Sequence, residues 1–405
     1  MKWVVVFAGS RDSYQVPLAL AEAGCLAALV TDCYAPLDSL SGVLLTCLPA
    51  RMRTSLQRRY ANGLPSKSVE WRKSTFLSDY LRKSSHVVRD RRLGRLGGSL
   101  ASRYKAGLIS YSYYGYHAFH SYGLDQWPKV LFQVHPHPVS VRRILEEELQ
   151  CSEFGRSSLL EEPEFTTLPG RREELSQEAF LADRCIVASN FTKRTLLENG
   201  MAEERIAVVP YGVDSEKFSF QQRAEGGPFR VVFVGQLVQR KGLEYLLKAW
   251  RRLRLPNADL VLAGRGRVDR GLLDEFADEF RYVGPLSDAE LLALYGNSDL
   301  FCMPSLVEGF GLVYLEALAV GLPIIATPNT GAADIIRNGQ EGFIVPVRDV
   351  EALANCIEWG YAHREALRDM RWNARRTALR YSWRSFRTGV ISALDAISGS
   401  RILME

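Results

Sequence analysis

The sequence predicts an α/β protein of two doubly wound, Rossmann-like domains, on three observations. Short apolar runs alternate with longer helical stretches over most of the 405 residues, the pattern of parallel strands joined by crossover helices. The alternation is interrupted after Val213 by the polar stretch DSEKFSFQQRAEGGP, whose closing Gly226, Gly227 and Pro228 mark a linker or domain edge. The length exceeds that of one usual domain, and a hydrophobic content of 47% is ample for packed cores.

In the first series, residues 3–8 read as a buried strand, followed by a helix over 16–23 and strands at 26–31, 106–111, 130–134 and 184–188. The apolar run that opens the chain is too short for a signal-peptide core or a spanning helix. The second series has strands at 230–234, 258–263, 282–283, 299–303, 322–327 and 343–345. Helices are expected between them near 243–252, 271–280, 288–296, 312–320 and 332–336. Residues 350–394 read as largely helical, and YSWRSF at 381–386 could extend beyond the second domain. The expected division is 1–212, 213–380 and a closing helix, 381–405, that packs back on the first domain.

Net charge is only +5, yet residues 51–105 hold 15 Lys and Arg against three acids, a local +12 that leaves −7 elsewhere. This basic, helical segment points to an anionic partner, either a membrane surface or a phosphate-bearing or lipid-linked acceptor, or equally to a solvated set of helices. No nucleic-acid motif accompanies the charge, so nucleic acid is not an expected partner. The seven cysteines are scattered, without CxxC or metal-like spacing, which argues against a disulfide framework or zinc site and for free thiols in a reducing cytosol.

Open parallel sheets bind ligands beyond the C-terminal ends of their strands, and the informative motifs sit there. Glu308 and Glu316 flank the glycine-led start of a helix, Gly309-Phe310-Gly311-Leu312, so two carboxylates bracket backbone amides at the positive end of a helix dipole. A ligand with hydroxyls on both sides of a phosphate suits that arrangement. Gly235 ends a strand and is followed by Gln236 and, just before Gly242 and a helix, Arg240 and Lys241. Cations at a helix start oppose the dipole, so an anion would explain them, although a solvated pair is the plain alternative. Gly264-Arg265-Gly266 opens like a dinucleotide fingerprint, but Asp269 stands where its third glycine belongs; a tight turn at a cleft floor fits better. His135 and His137, in VHPHP, end a strand where imidazoles can face a ligand, and at least one of them can be a turn residue satisfied by backbone. Gly9 and Ser10 form another strand-to-helix loop, either a simple turn or an acceptor-side cleft wall.

In order and spacing, DRCIVASNFTK (183–193), RIAVVPYGVDSEKF (205–218), FVGQLVQRKG (233–242), VLAGRG (261–266), YVGPL (282–286), PSLVEGFGLVYLEALAVGLPIIAT (304–327) and GFIVP (342–346) resemble a family 4 retaining glycosyltransferase of the group 1 type. The N-terminal half resembles that family in pattern only, as suits a domain that reads a variable acceptor. The resemblance implies the GT-B architecture, two Rossmann-like domains facing a central cleft. It implies that Glu316 holds ribose hydroxyls, that Glu308 touches the donor sugar, and that the amides at Phe310, Gly311 and Leu312 with Lys241 stabilise the departing diphosphate. Val283 to Leu286 would border the base, and His135 or His137 would approach the transferred sugar. One departure is Gln236, where the family usually has arginine; Arg240 is the candidate replacement.

The expected chemistry is same-face transfer of a sugar from a nucleoside-diphosphate sugar, UDP before GDP, to a hydroxyl, driven by leaving-group stabilisation without metal or other cofactor. The expected location is cytoplasmic, with a peripheral seat on the inner membrane face through 51–105. A glycoside hydrolase would also use two carboxylates, but across a glycosidic bond and without a phosphate site. The same fold could also serve a nucleotide-sugar epimerase, a phosphorylase or a non-catalytic carbohydrate-binding module.

Overall fold

The computed structural model describes residues 1–34, 59–71, 86–223, 226–266 and 270–402. Seven strands form the first sheet: β1 (Trp3–Val6), β2 (Leu26–Thr31), β3 (Val69–Trp71), β4 (Gly107–Tyr111), β5 (Lys129–Gln133), β6 (Arg184–Val187) and β7 (Ile206–Val208). They pair in the order β3-β2-β1-β4-β5-β6-β7. The second sheet contains β8 (Phe229–Val234), β9 (Ala258–Ala263), β10 (Arg281–Gly284), β11 (Leu300–Cys302), β12 (Ile324–Ala326) and β13 (Gly342–Ile344), in the order β10-β9-β8-β11-β12-β13. All pairings between these strands are parallel. Helices cover both faces of such a sheet, so central strands such as WVVV and FRVVFV are almost uniformly apolar and buried.

Strands β3 and β7 were not among the expected elements. Each is three residues long, too short to display a period of its own, and becomes a strand by pairing with β2 or β6. In the basic segment, His86–Tyr104 is a helix; residues 51–58 and 72–85 lie outside the described residues. The helix carries Gly94, Gly97 and Gly98 on its inner face, where a Cβ would collide with Tyr114 and Ala118 backbone or with Val6. Three cations of the segment are engaged by the protein's own acids. Arg59 lies 2.8 Å from Asp32, Arg89 2.9 Å from Asp90, and Arg91 2.8 Å from Glu174. Among the described residues, no helix is long and apolar enough to cross a membrane.

Two fully buried carboxylates tie the domains together. Glu148, on the helix Pro138–Cys151, accepts from Gln239 Nε2 at 2.7 Å, Tyr245 Oη at 2.9 Å and Arg348 Nε at 2.7 Å. In the opposite sense, Glu244 on the helix Leu243–Leu253 accepts from Ser152 Oγ at 2.6 Å and from the amides of Glu153, Phe154 and Gly155 at 3.1–3.2 Å. The chain also returns across the junction. Tyr381 O receives the Val213 amide at 2.9 Å, and the helix Trp383–Ile402 lies against Gln15–Glu22, with Arg387 2.8 Å from Glu22.

Candidate active site

The site begins with the helix Leu312–Ala319, whose cap is Gly311 at φ 86°. A side chain there would be in the left-handed region and would run into the Tyr314 ring. Among the described residues no protein acceptor meets the amides of Phe310, Gly311 and Leu312, so these donors at the helix start are open to a ligand. The Phe310 ring is not part of that cradle. It is buried, packs beside Gly331 and meets Tyr211 edge-on at 5.4 Å. Glu308 precedes the turn and Glu316 lies inside the helix. Burial pushes the Glu316 carboxyl up to about 7, eased by Lys217 and reinforced by Asp288.

Strand β8 brings the cations. After Gly235 and the exposed Gln236 the chain makes one tight turn, Gln239–Lys241, and Gly242 at φ 74° starts the next helix against the Pro304 carbonyl, where no Cβ fits. Lys241 is 8% exposed, and its ammonium contacts the Glu308 carboxylate. Burial and the neighbouring Arg240 push that ammonium down, to about 7, while Glu162 works the other way. Arg240 points across the cleft, its Nε 3.5 Å from Glu162 of the first domain. A second cation therefore lies next to Lys241.

The Gly264 turn forms the floor. Its φ of 136° and its contact with the Gly235 carbonyl leave no room for a Cβ, and the Leu237 amide bonds to Arg265 O at 2.9 Å. Gly264 O accepts from Tyr282 Oη at 3.0 Å and its amide donates to Gly284 O at 2.9 Å. Those bonds bring half-buried Val283 and Leu286 to the rim beside the β8 turn.

From the first domain, His135 reaches this cluster and His137 does not. The Gly309 backbone packs directly on Val134 O and His135 Cα, so a Cβ at 309 would part the two domains at this point. Burial, with Arg11, Arg240 and Lys241 as neighbours, depresses the His135 imidazole to about 3; it is neutral at ordinary pH. His137 corrects the sequence-based expectation. It is 2% exposed, its Nε2 lies 3.2 Å from Ser176 O, and its ring packs on Phe180, because Pro138 starts a helix and turns this residue inward. Gly9 is corrected as well: its amide donates to Asp32 Oδ1 at 2.9 Å and is closed to a ligand, while Ser10 stays half-buried at the head of the next turn.

The residues after Ser10 carry an unforeseen strain. Asp12, Ser13 and Tyr14 have φ of 41°, 51° and 63°, three consecutive non-glycine residues in the left-handed region. The Tyr111 hydroxyl donates to Asp12 Oδ2, Oδ1 has no partner among the described residues, and burial raises this carboxyl to about 7. Arg11 stands 5.8 Å over the Tyr113 ring, which in turn meets His135 at 5.7 Å. Nothing local in RDSY signals such a backbone.

Residues 214–377 match the family described as glycosyl transferases group 1. A glycogen synthase of Mycobacterium tuberculosis is 35% identical over 181 residues, 43% of this chain and 43% of the relative. A phosphatidyl-myo-inositol mannosyltransferase of the same organism is 28% identical over 228 residues, covering 53% and 60%. The chain thus matches about half the length of these curated relatives. Among solved structures, Anabaena HepE in complex with UDP superposes with a TM-score of 0.64 at 16% identity, covering 98% of this chain and 100% of HepE. Sucrose-phosphate synthase from Thermosynechococcus elongatus gives 0.64 at 19% identity, covering 100% and 99%. These likenesses establish the expected GT-B fold over the whole chain.

Proposed function

With residues 214–377 belonging to the glycosyl transferases group 1 family, we propose that the protein is a retaining hexosyltransferase, moving a sugar from a nucleoside-diphosphate sugar to an acceptor hydroxyl. The observation that carries this reading is the convergence of the open amides at 310–312, the buried Lys241 beside Arg240, and a carboxylate on either side, Glu308 and Glu316. UDP is the preferred nucleotide, supported by the complexes of HepE with UDP and UDP-glucose on the same fold, and GDP is next.

In this reading the helix amides and Lys241 receive the charge that develops on the diphosphate as the bond from sugar C1 to the phosphate oxygen breaks. The acceptor oxygen bonds to C1 on the same face, and its proton passes to the departing phosphate oxygen. Glu316 takes the ribose hydroxyls and Glu308, oriented by Lys241, those of the sugar. Neutral His135 offers an uncharged hydrogen-bonding edge to the sugar from the first domain. Val283 and Leu286 border the base, and Arg240 beside Lys241 is the candidate for the charge that Gln236 lacks. The mechanism asks for no metal. A cytoplasmic location suits an activated nucleotide substrate. The basic surplus of 51–105 supports a peripheral seat on an anionic membrane, although Arg59, Arg89 and Arg91 are paired within the protein and Arg92 is engaged as well.

Thermal stabilisation across nucleoside diphosphates and their sugars tests donor binding, since a ligand stabilises by its affinity and concentration. Nucleoside diphosphate released only with an acceptor denotes transfer, whereas an isomerised sugar denotes epimerisation. Lys241→Ala, verified as folded, is expected to lower transfer on the order of 10²–10³-fold. Wild-type turnover in that variant would remove Lys241 from the mechanism.

A further inference from the structure

Behind His135 the first domain forms a half-open cavity of about 340 Å³, at the small end of the range for small-molecule pockets. Its walls are rigid and apolar: Pro136, Pro138, Pro163 and Pro169 with Val139 and Leu175. It shares His135 and Tyr113 with the cleft, so an occupant would stand beside the Lys241 turn.

The polar groups of the cavity select its ligand. Three glutamates, 164, 173 and 178, face it against two arginines, 142 and 172. Arg142 is already held, by Glu146 at 2.7 Å and Glu164 O at 2.9 Å, with its guanidinium 5.3 Å from the Phe165 ring. Glu178 is satisfied by the amides of Tyr113 at 2.8 Å and Tyr116 at 3.3 Å. Glu164 is different. Its Oε2 is buried and, among the described residues, has no hydrogen-bond partner, an expensive state for a carboxylate unless something supplies a donor.

Resting on the transferase reading, we propose that this cavity seats the acceptor, and that the acceptor is an uncharged alcohol with a cyclic, largely apolar body, one hydroxyl of which, other than the one that receives the sugar, donates to Glu164. Ring faces pack on the proline walls, and with Arg142 already held by Glu146 the lining is a poor seat for the phosphate-bearing acceptor that the basic segment suggested.

The probe is 4-methylumbelliferone, a fluorescent cyclic alcohol, titrated below neutral pH where its phenol is uncharged. Saturable binding to the wild-type protein is expected. Thr167→Trp, which fills the cavity from its half-buried rim, should weaken binding about tenfold or more. Glu164→Gln should weaken it about tenfold, the scale of one hydrogen bond to a charged group, and should leave binding of the methyl ether of the probe unchanged. Thermal stabilisation by UDP should be the same in both variants and in wild type, so a failure of the nucleotide site is read separately. Absence of saturable binding, equal binding to Thr167→Trp, equal weakening of probe and ether by Glu164→Gln, or tighter binding of glucose 1-phosphate would each overturn the proposal.

Discussion

Replacing Glu148 with alanine tests how the cleft is held in shape. The carboxylate is 0% exposed and serves three donors, all from the other domain. Gln239 and Tyr245 are 1% and 8% exposed, so each donor left behind costs about 1–3 kcal/mol. Arg348 suffers less. At 25% exposure it regains water and keeps Glu147 at 3.4 Å, so its share falls well below the about 3–5 kcal/mol of a broken, fully buried pair. With partial relaxation, a total of about 3 kcal/mol is reasonable, a factor on the order of 10² in an equilibrium constant. Because every lost bond crosses the junction, the loss falls on docking of the domains and leaves each core intact. In urea, followed by tryptophan fluorescence, the wild-type protein should unfold in one transition and Glu148→Ala in two, the first at lower urea. Glu148→Gln, which keeps one accepting oxygen, should fall between them. One unchanged transition for Glu148→Ala would refute the idea that this carboxylate couples the domains.

Nucleotide affinity should be bell-shaped in pH with both limbs near 7. Glu316 must lose its proton to accept ribose hydroxyls, so affinity falls as pH drops through about 7; Lys241 must keep its proton, so affinity also falls above about 7. Glu316→Gln should flatten the acid limb and Lys241→Arg the alkaline one, measured by calorimetric titration with UDP across pH. Gly309→Ala places a methyl against Val134 and His135 and should lower transfer more than about tenfold, the scale of a displaced reactive group. Its binding of UDP alone, made by the second domain, should stay within about threefold of wild type, on the scale of an ordinary surface change.

Parts of the site were legible because their chemistry is local. In EGFGLVYLEALAVG, spacing alone puts Glu308 before a helix and Glu316 within it, with Gly311 where the backbone turns left-handed. Lys241 was legible too, since a cation at a helix start asks for an anion. His135 and His137 share the same local pattern, and only the fold separates them: Gly309 brings the second domain onto His135, while Pro138 turns His137 into the first domain.

By itself, then, the sequence determined the two parallel α/β layers and the glycine-led helix start between Glu308 and Glu316, because periodicity, glycine conformation and helix ends are properties of neighbouring residues. Tertiary structure alone decided what depends on residues far apart. Glu148 and Glu244 read as ordinary surface acids until burial sets them against donors about 90–200 positions away, where an unpaired charge would be costly. The left-handed Asp12 and Glu164 Oε2, without a hydrogen-bond partner among the described residues, likewise have no local signature. Their meaning comes from desolvation and neighbouring charge, quantities that exist only once the chain has closed around them.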